Sequence, residues 1–371
     1  MSKRPNTPIS TYCEDKLQSQ IISSLRFPLA VGIVLLHTHL TDSSGVSFIN
    51  HPEYPIFSHF SFFLSLVISG RIALPCFFFI SGFLFFYRCS SFSVLQYKKK
   101  LQRRFHSLFI PYILWNLLIF LVYLLVAHFL PEMATGKYKM TEIDSLTDFL
   151  SIFWNVNGSG YPISGPLWFI RDLCLLSIAS PLLYGLIRHL KGAFLLPATL
   201  YFLLGCPGLE SVGNNEKFIF FYLVGAYISI HHYNFLHLAH ISRLWTSLIF
   251  VLSVLVVMIW GDNDAFAVFA HLISCTGICC AVNLMAFLLT KCRFRNSPFL
   301  SSSTFFIFAY HYFVIQFLTR ILVKAINPQS EGTLLGIYLF CPVFVILLGL
   351  GIYYLLKRFL PKTTALLTGG R

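Results

Sequence analysis

The sequence predicts an all-α, polytopic membrane helix bundle of about ten transmembrane helices, with both termini in the cytoplasm. Three observations predict this fold class. First, 56% of the 371 residues are hydrophobic and only 11% are charged, whereas soluble domains carry about 25% charged residues. Second, ten apolar runs follow one another along the chain. Third, clusters of Lys and Arg occupy every second segment between these runs, as they do in cytoplasmic loops.

The apolar runs set the span boundaries, because a helix needs roughly 20 apolar residues to cross the hydrocarbon core. The spans are predicted near residues 20–40, 70–87, 108–130, 166–186, 192–206, 216–231, 244–261, 266–290, 302–326 and 333–357. The fifth and sixth runs are short and contain Pro or Gly. Residues 56–69 are apolar but run directly into Gly70 and Arg71. This predicts an interfacial helix or a re-entrant segment before the second span.

The segments outside the spans complete the predicted organisation. A cytoplasmic N-terminal segment covers residues 1–19, one membrane domain covers 20–358, and a cytoplasmic tail covers 359–371. The longest outer loop, about 131–165, is rich in Gly, Asn, Ser and Pro near its end, which is ordinary loop chemistry. This loop either shapes a polar acceptor site or simply connects two spans.

The formal net charge of +13 is compatible with nucleic-acid binding, because basic chains attract phosphates. The cations, however, lie mainly in short clusters between apolar runs, and the outer segments hold mostly Asp and Glu. That alternation follows the positive-inside rule for short loops. The charge pattern therefore predicts the lipid bilayer, and not nucleic acid, as the partner of this chain.

The first span contains the most informative polar pair, Arg26 and His37. Eleven steps at about 100° per residue close three turns with about 20° left over, so both side chains share one helix face roughly 16 Å apart. Arg26 lies at the cytoplasmic end, and His37 has the side chain whose ordinary pKa suits a base near neutral pH. The pair suits an elongated anionic cytosolic molecule. Alternatively, Arg26 is a snorkelling anchor and His37 an interfacial histidine.

Other polar residues within the apolar runs are also candidates, because ionisable groups are costly inside a membrane. Arg71 begins the second span, whereas Ser81 and Gly82 form a small notch typical of helix packing. Arg104 either contacts phosphate at the cytoplasmic surface or anchors the third span. Arg171 and Asp172 are further candidates. Their partners are predicted on other helices, because adjacent helical positions do not face each other. His311 is predicted to face the bundle interior.

An ordered series of segments resembles the acyltransferase type 3 family of bacterial integral-membrane enzymes, over about residues 20–357. The series begins with Arg26 and His37, which ten residues separate, and with the segment LPCFFFISGFL at residues 74–84. The remaining segments are Arg104 followed by PYILW at 111–115, LWF at 167–169, FYLVGA at 221–226, and Tyr310-His311. The order of these segments within a ten-helix chain is more specific than any one of them.

The resemblance implies transfer of an acyl group, usually acetyl, from cytoplasmic acyl-CoA to a hydroxyl of a cell-envelope carbohydrate or a related small acceptor. It implies the bacterial inner membrane, no tightly bound cofactor and no metal. His37 is then the catalytic base or acyl carrier, and Arg26 contacts the donor or orients the site. The implied substrate-binding residues are Arg71, Arg104, Trp168, Arg171, His311 and Ser81. Some relatives carry a Trp-Ser-Leu and Glu pattern where this chain has WFIRD at 168–172, which leaves the acceptor open.

Two other functions are compatible with these polar residues. A transporter or flippase for an envelope lipid or sugar would use the buried Arg and His residues as a polar pathway, although the sequence lacks the matching halves common in transporters. A metal site or sensing element would use His231, His232, His237 and His240. A solvated interfacial stretch explains that histidine cluster better, because Cys and carboxylate partners are missing from it.

Overall fold

The computed structural model describes residues 9–41, 47–49, 51–89, 92–129, 143, 145–156, 158–204, 216–241, 243–261 and 266–370. Within these ranges the secondary structure is helical, and one isolated bridge joins Thr41 to Ser47. The all-α fold class is confirmed for this part of the chain. The N-terminal residues 1–8 and much of the predicted outer loop, including residues 130–142, lie outside the described residues.

The described ranges contain fifteen α-helices, together with π-helical and 3₁₀ segments. The α-helices are α1 (Ile9–Leu36), α2 (Pro55–Ser61), α3 (Leu74–Phe86), α4 (Val94–Arg104), α5 (Ile110–Phe129), α6 (Leu146–Ser151), α7 (Trp168–Leu190), α8 (Gly192–Leu203), α9 (Ile219–Ile230), α10 (Phe235–Ile241), α11 (Arg243–Trp260), α12 (Ala267–Thr290), α13 (Pro298–Ile326), α14 (Glu331–Phe359) and α15 (Pro361–Thr368). The π-helical segments are Phe62–Ala73 and Phe105–Phe109, and the 3₁₀ segments are Gly165–Leu167 and Glu216–Phe218.

Eight helical stretches of the described chain are long and apolar enough to cross a membrane. They are Asp15–Leu36, Pro55–Phe86, Val94–Phe129, Gly165–Leu190, Arg243–Trp260, Ala267–Thr290, Pro298–Ile326 and Glu331–Phe359. The predicted fifth and sixth spans correspond to α8 and α9, which are apolar but have only 12 residues each. Twelve residues rise about 18 Å, less than the roughly 30 Å hydrocarbon core. Eight spans are therefore supported by length, and ten stay a prediction.

The prediction of a separate segment at 56–69 is wrong. Residues Pro55–Phe86 form one continuous helical stretch, in which α2 passes through the π-helical segment Phe62–Ala73 into α3. Gly70 and Arg71 do not interrupt it. Pro75 lacks an N–H and its ring conflicts with the carbonyl four residues earlier in a regular α-helix. The wider π-helical turns that precede it let the chain pass this proline without a break.

The closest helix crossing joins α3 and α9 through two glycines. A Cβ atom on Gly82 would collide with the backbone oxygen of Tyr222, and a Cβ on Gly225 would collide with the backbone oxygen of Phe79. The two backbones therefore touch at reciprocal positions, which only glycine permits. The prediction that Gly82 serves helix packing is confirmed. This crossing fixes the helix face on which the neighbouring Ser81 lies.

Helix α1 is central, because it packs against α3, α12, α13, α14 and the π-helical segment Phe62–Ala73. At one end, Ser301 Oγ of α13 donates a hydrogen bond of 3.2 Å to the carbonyl oxygen of Ser23, and Asn296 Nδ2 donates one of 3.0 Å to Ser23 Oγ. These bonds set α13 alongside α1. The face of α1 that carries Arg26 therefore looks toward the neighbouring part of α13.

The predicted tail contains a helix that folds back onto the bundle. Helix α15 packs against α5, α13 and α14. Trp115 Nε1 donates a hydrogen bond of 3.0 Å to the carbonyl oxygen of Leu367, and Thr364 and Thr368 are buried. The segment is thus an integrated part of the bundle, and it lies next to the first turns of α5.

Candidate active site

His37 lies directly after the last residue of α1 and faces α13. Its ring centroid is 5.4 Å from that of His311 and 5.1 Å from that of Tyr312, which meets it edge-on. Gln316 Nε2 donates a hydrogen bond of 3.4 Å to the His37 carbonyl oxygen, a group that helix termination leaves free. The imidazole therefore points into the bundle and toward a second imidazole, which is incompatible with a lipid-facing side chain.

His311 is completely buried, and its tautomer follows from its neighbours. The Nδ1 atom lies 2.7 Å from the carbonyl oxygen of Phe308 and 3.2 Å from that of Ile307. Carbonyl oxygens only accept hydrogen bonds, so Nδ1 carries the hydrogen and the neutral ring keeps its lone pair on Nε2. That Nε2 atom is buried and has no hydrogen-bond partner among the described residues. A proton acceptor is thus available beside His37.

A cavity of about 100 Å³ lies between α1, α3, α7, α13 and the end of α4. The guanidinium-bearing residues Arg26 and Arg104 both line it, together with the hydroxyl groups of Ser81, Ser301 and Thr304. Neither arginine forms an ion pair with any carboxylate of the described chain. Two arginines without acidic partners, beside hydroxyl donors, are the chemistry of an anion site.

The inner wall of this cavity is aromatic and connects it to the histidines. Phe308 lines the cavity, and its ring centroid lies 6.1 Å from that of His311 and 5.7 Å from that of Phe169. His37 and His311 do not themselves line the cavity. The Phe308 ring therefore stands between the arginine-lined cavity and the imidazole pair.

Arg171 binds its own helix neighbour and the outer loop. Its Nε and Nη2 atoms each lie 2.8 Å from Asp172 Oδ1, its Nη1 donates to the carbonyl oxygen of Gly160, and its guanidinium lies 4.7 Å from the centroid of the Trp154 ring. The prediction that Arg171 and Asp172 have their partners only on other helices is wrong. The long arginine side chain bends along the first turn of α7, where the loop covers both residues.

Of the other predicted binding residues, some line the cavity and some do not. Trp168 is buried against Phe78 and Phe218, with ring centroids 5.9 Å away in both cases, and lies behind the cavity wall. Arg71 is half-buried in the π-helical segment and is outside the cavity lining, whereas Ser81 lies in it. Substrate contact by Arg71, Trp168 and Arg171 stays a prediction.

The outer loop covers the histidine pair from the side opposite the arginines. Asn116 is fully buried in α5, and its Oδ1 accepts a hydrogen bond of 3.2 Å from the backbone N–H of Ser164. This bond holds the next residue, Gly165, so that a Cβ there would contact the Tyr312 ring at 3.5 Å. Because Tyr312 contacts His37, the loop end, the tyrosine and the imidazole form one continuous stack.

Sequence reasoning missed Thr304, Phe308 and Tyr312 as site residues. Thr304 and Phe308 precede His311 by seven and three positions, and both spacings keep the side chains near one helix face. That signal was available in the sequence. The contact between α1 and α13 was not, because periodicity defines the face of a helix and says nothing about the helix opposite.

The alternative metal site finds no support in the described part of the chain. No group of three or more His, Cys, Asp or Glu side chains is placed there to hold an ion. His231 instead packs against Tyr227, with ring centroids 4.6 Å apart, and its Nε2 lies 3.3 Å from the carbonyl oxygen of Ile187. These contacts belong to the packing of a helix end.

Two comparisons with known proteins find matches that cover most of this chain. A family model described as "Acyltransferase domain" matches residues 20–359. The succinoglycan biosynthesis protein ExoH of Rhizobium meliloti (strain 1021) is 25% identical over 342 residues, which cover 88% of this chain and 89% of the relative. No solved structure matches the chain significantly.

Proposed function

The chain belongs to the acyltransferase domain family, and we propose that it moves an acyl group, with acetyl as the first candidate, from cytoplasmic acyl-CoA to a hydroxyl of a cell-envelope carbohydrate. Family membership makes the chain an enzyme and favours this function over the transporter or flippase. The apolar helices make it a multi-pass membrane protein. We place it in the bacterial inner membrane, with ten spans and both termini in the cytoplasm, because that arrangement puts the basic loops inside.

The proposed acceptor class rests on the relative. Its name assigns it to the biosynthesis of succinoglycan, and the alignment covers nearly all of both chains. Similarity of this extent, in a chain that belongs to an acyltransferase family, supports a hydroxyl of a glycan as the acceptor. The identity of 25% leaves room for a different sugar, because specificity depends on a few side chains in the site.

The proposed donor rests on one observation: Arg26 and Arg104 line a single cavity, and Phe308 in its inner wall contacts His311. Acyl-CoA carries a diphosphate between its nucleoside and its thioester arm, so a donor needs cations at some distance from the reacting carbon. Guanidinium groups bind phosphate oxygens in bidentate fashion. The spacing of Arg26 and His37 along α1 supplies that distance.

The proposed reaction is a direct acyl transfer. The acceptor oxygen attacks the thioester carbonyl carbon while His37 removes the hydroxyl proton. The tetrahedral oxyanion then collapses, the carbon–sulfur bond breaks, and the CoA thiolate leaves and takes up a proton. In this scheme His311 is a positioning residue, because its Nε2 lone pair can accept a hydrogen bond from the N–H of His37 and so orient the imidazole.

The direct test uses purified protein in lipid nanodiscs with acetyl-CoA and a panel of glycans, and it measures free CoA thiol together with acetylated product. We expect His37→Ala to lower the rate of transfer by about a hundredfold or more, since a general base supplies roughly 10²–10⁴ of the rate. His39→Ala is the matched control, because His39 is two residues away and exposed to solvent.

The two variants must elute as monodisperse protein at the wild-type position in size-exclusion chromatography. Near-normal transfer by His37→Ala would contradict the proposed role of the imidazole. Absence of thiol release and of product with the wild-type protein would contradict the proposed donor.

A further inference from the structure

A second cavity of about 190 Å³ lies on the other side of Arg26 from the first. Arg26 and Leu84 line both cavities, so the two spaces meet at the guanidinium. The second cavity is bounded by α1 through Gln18 and by the end of α3 through Phe83 and Tyr87. It is the part of the path farthest from the histidines.

Gln18 provides an unused polar group in this cavity. The residue is only 5% exposed, and its Oε1 atom is buried without a hydrogen-bond partner among the residues described. A buried amide oxygen without a partner costs free energy unless something else satisfies it. Gln18 lines an open space, so its side-chain amide can turn toward a ligand there. Its Oε1 atom would then accept a hydrogen bond from an N–H group of that ligand.

Distances along α1 identify which part of a long donor reaches this cavity. At 1.5 Å per residue, His37 and Arg26 are roughly 16 Å apart along the axis and Arg26 and Gln18 roughly 12 Å apart, with Gln18 about 80° around the helix from Arg26. About thirteen bonds join the sulfur of acyl-CoA to its first phosphorus, and at roughly 1.2 Å per bond the extended arm covers ~16 Å. With the thioester at His37, the diphosphate therefore lies at Arg26 and the nucleoside lies beyond it.

The lining suits a purine base. Adenine has an exocyclic amino group next to a ring nitrogen. The glutamine amide can accept a hydrogen bond from the amino group and donate one to the ring nitrogen. The rings of Phe83 and Tyr87, with centroids 5.4 Å apart, provide aromatic surface for a flat base. Arg88 lies 5.2 Å over the Tyr87 ring and forms an exposed ion pair of 3.6 Å with Asp15, so a ribose phosphate at this rim would have to compete with that carboxylate.

We propose that the cavity lined by Gln18, Phe83 and Tyr87 is the adenine subsite of the acyl-CoA donor, with Arg26 at the diphosphate between this subsite and the reaction chamber. The inference rests on the proposed function, because it assumes that acyl-CoA is the donor. It adds a recognition site for the nucleotide, at the cytoplasmic end of α1 and far from the chemistry.

The test compares acetyl-CoA with acetyl-pantetheine, which has the same thioester but no nucleotide. We expect Gln18→Leu to raise KM for acetyl-CoA about tenfold, the usual effect of losing a buried hydrogen bond to a ligand. KM for acetyl-pantetheine should stay within about twofold of wild type, because that donor does not reach Gln18. Gln20→Leu is the matched control, since Gln20 lies on the same helix and is exposed.

A second measurement needs no substitution. An acyl-CoA analogue with a photoreactive azide on its adenine should label peptides that contain Gln18 or Tyr87, and excess CoA should prevent the labelling. Labelling confined to other segments would overturn the proposal, and so would equal effects of Gln18→Leu on the two donors or no effect on either. Failure of wild-type protein to use any acyl thioester would instead contradict the donor itself, so the two failures are distinguishable.

Discussion

At the scale of single residues, the arginines and histidines of this chain differ in what they contact. Arg171 is satisfied by Asp172, by the Gly160 carbonyl and by the Trp154 ring, so it stabilises the outer loop. Arg26 and Arg104 have no acidic partner among the described residues and line a cavity. A half-buried cation without an acidic partner is costly for folding alone, which favours a role for Arg26 and Arg104 in binding an anion.

Arg104 gives a direct prediction at this scale. Arg104→Gln should raise KM for acyl-CoA by roughly tenfold to a hundredfold with a smaller change in kcat, because a charge-assisted hydrogen bond contributes about 1.5–3 kcal/mol. Arg103→Gln is the control, since Arg103 is adjacent and exposed. Steady-state kinetics of thiol release in nanodiscs measure both values, and equal effects of the two substitutions would show that Arg104 serves only the basic surface.

Helical periodicity predicts the shared face of Arg26 and His37, and α1 is helical from Arg26 up to Leu36, the residue before His37. The proximity of His311 was not predictable. It depends on α13 lying beside α1, and that contact is tertiary. The same limit explains the error at Arg171, because an adjacent pair separates on an ideal helix but meets when a long side chain bends.

At the scale of helices, the crossing of α3 and α9 is the tightest constraint, and both glycines lie in segments that resemble the family. Gly82→Leu should destabilise the protein by about 1–3 kcal/mol or more, because no void exists at the contact. We expect a lower unfolding temperature or loss of the folded peak in fluorescence-detected size-exclusion chromatography.

The control for this crossing is Gly185→Leu in α7, where a Cβ meets no atom within 4 Å. That variant should keep the wild-type profile. If Gly82→Leu were as stable as Gly185→Leu, the close approach of α3 and α9 would be refuted. Ser81 depends on the same crossing for its place in the cavity, so a milder Gly82→Ala variant should also lower transfer.

The helix positions themselves were largely predictable. All ten apolar runs coincide with helices, since a long apolar stretch has few alternatives to a helix in lipid. The error at residues 56–69 arose from treating Gly70 and Arg71 as an interruption. The π-helical geometry that carries the chain past Pro75 has no simple sequence signal.

At the scale of the whole molecule, ten spans with both termini inside remain a prediction that labelling can test. In a background without native cysteines, Lys16→Cys and Lys362→Cys should react with a membrane-impermeant maleimide only after permeabilisation, whereas Ser159→Cys should react in intact cells. All three positions are exposed. Labelling of the two ends from opposite sides would require an odd number of spans. It would contradict the prediction that the short helices α8 and α9 both cross the membrane.

The aromatic wall formed by Phe308 has a consequence for the loss of acyl donor by hydrolysis. Under the proposed function, a donor bound in the arginine-lined cavity would have its thioester separated from His311 by the Phe308 ring. Hydrolysis of that donor by water would then stay slow until an acceptor sugar displaces the ring. Removing the Phe308 ring should therefore raise the rate at which the thioester is hydrolysed by water, whether or not a glycan is present.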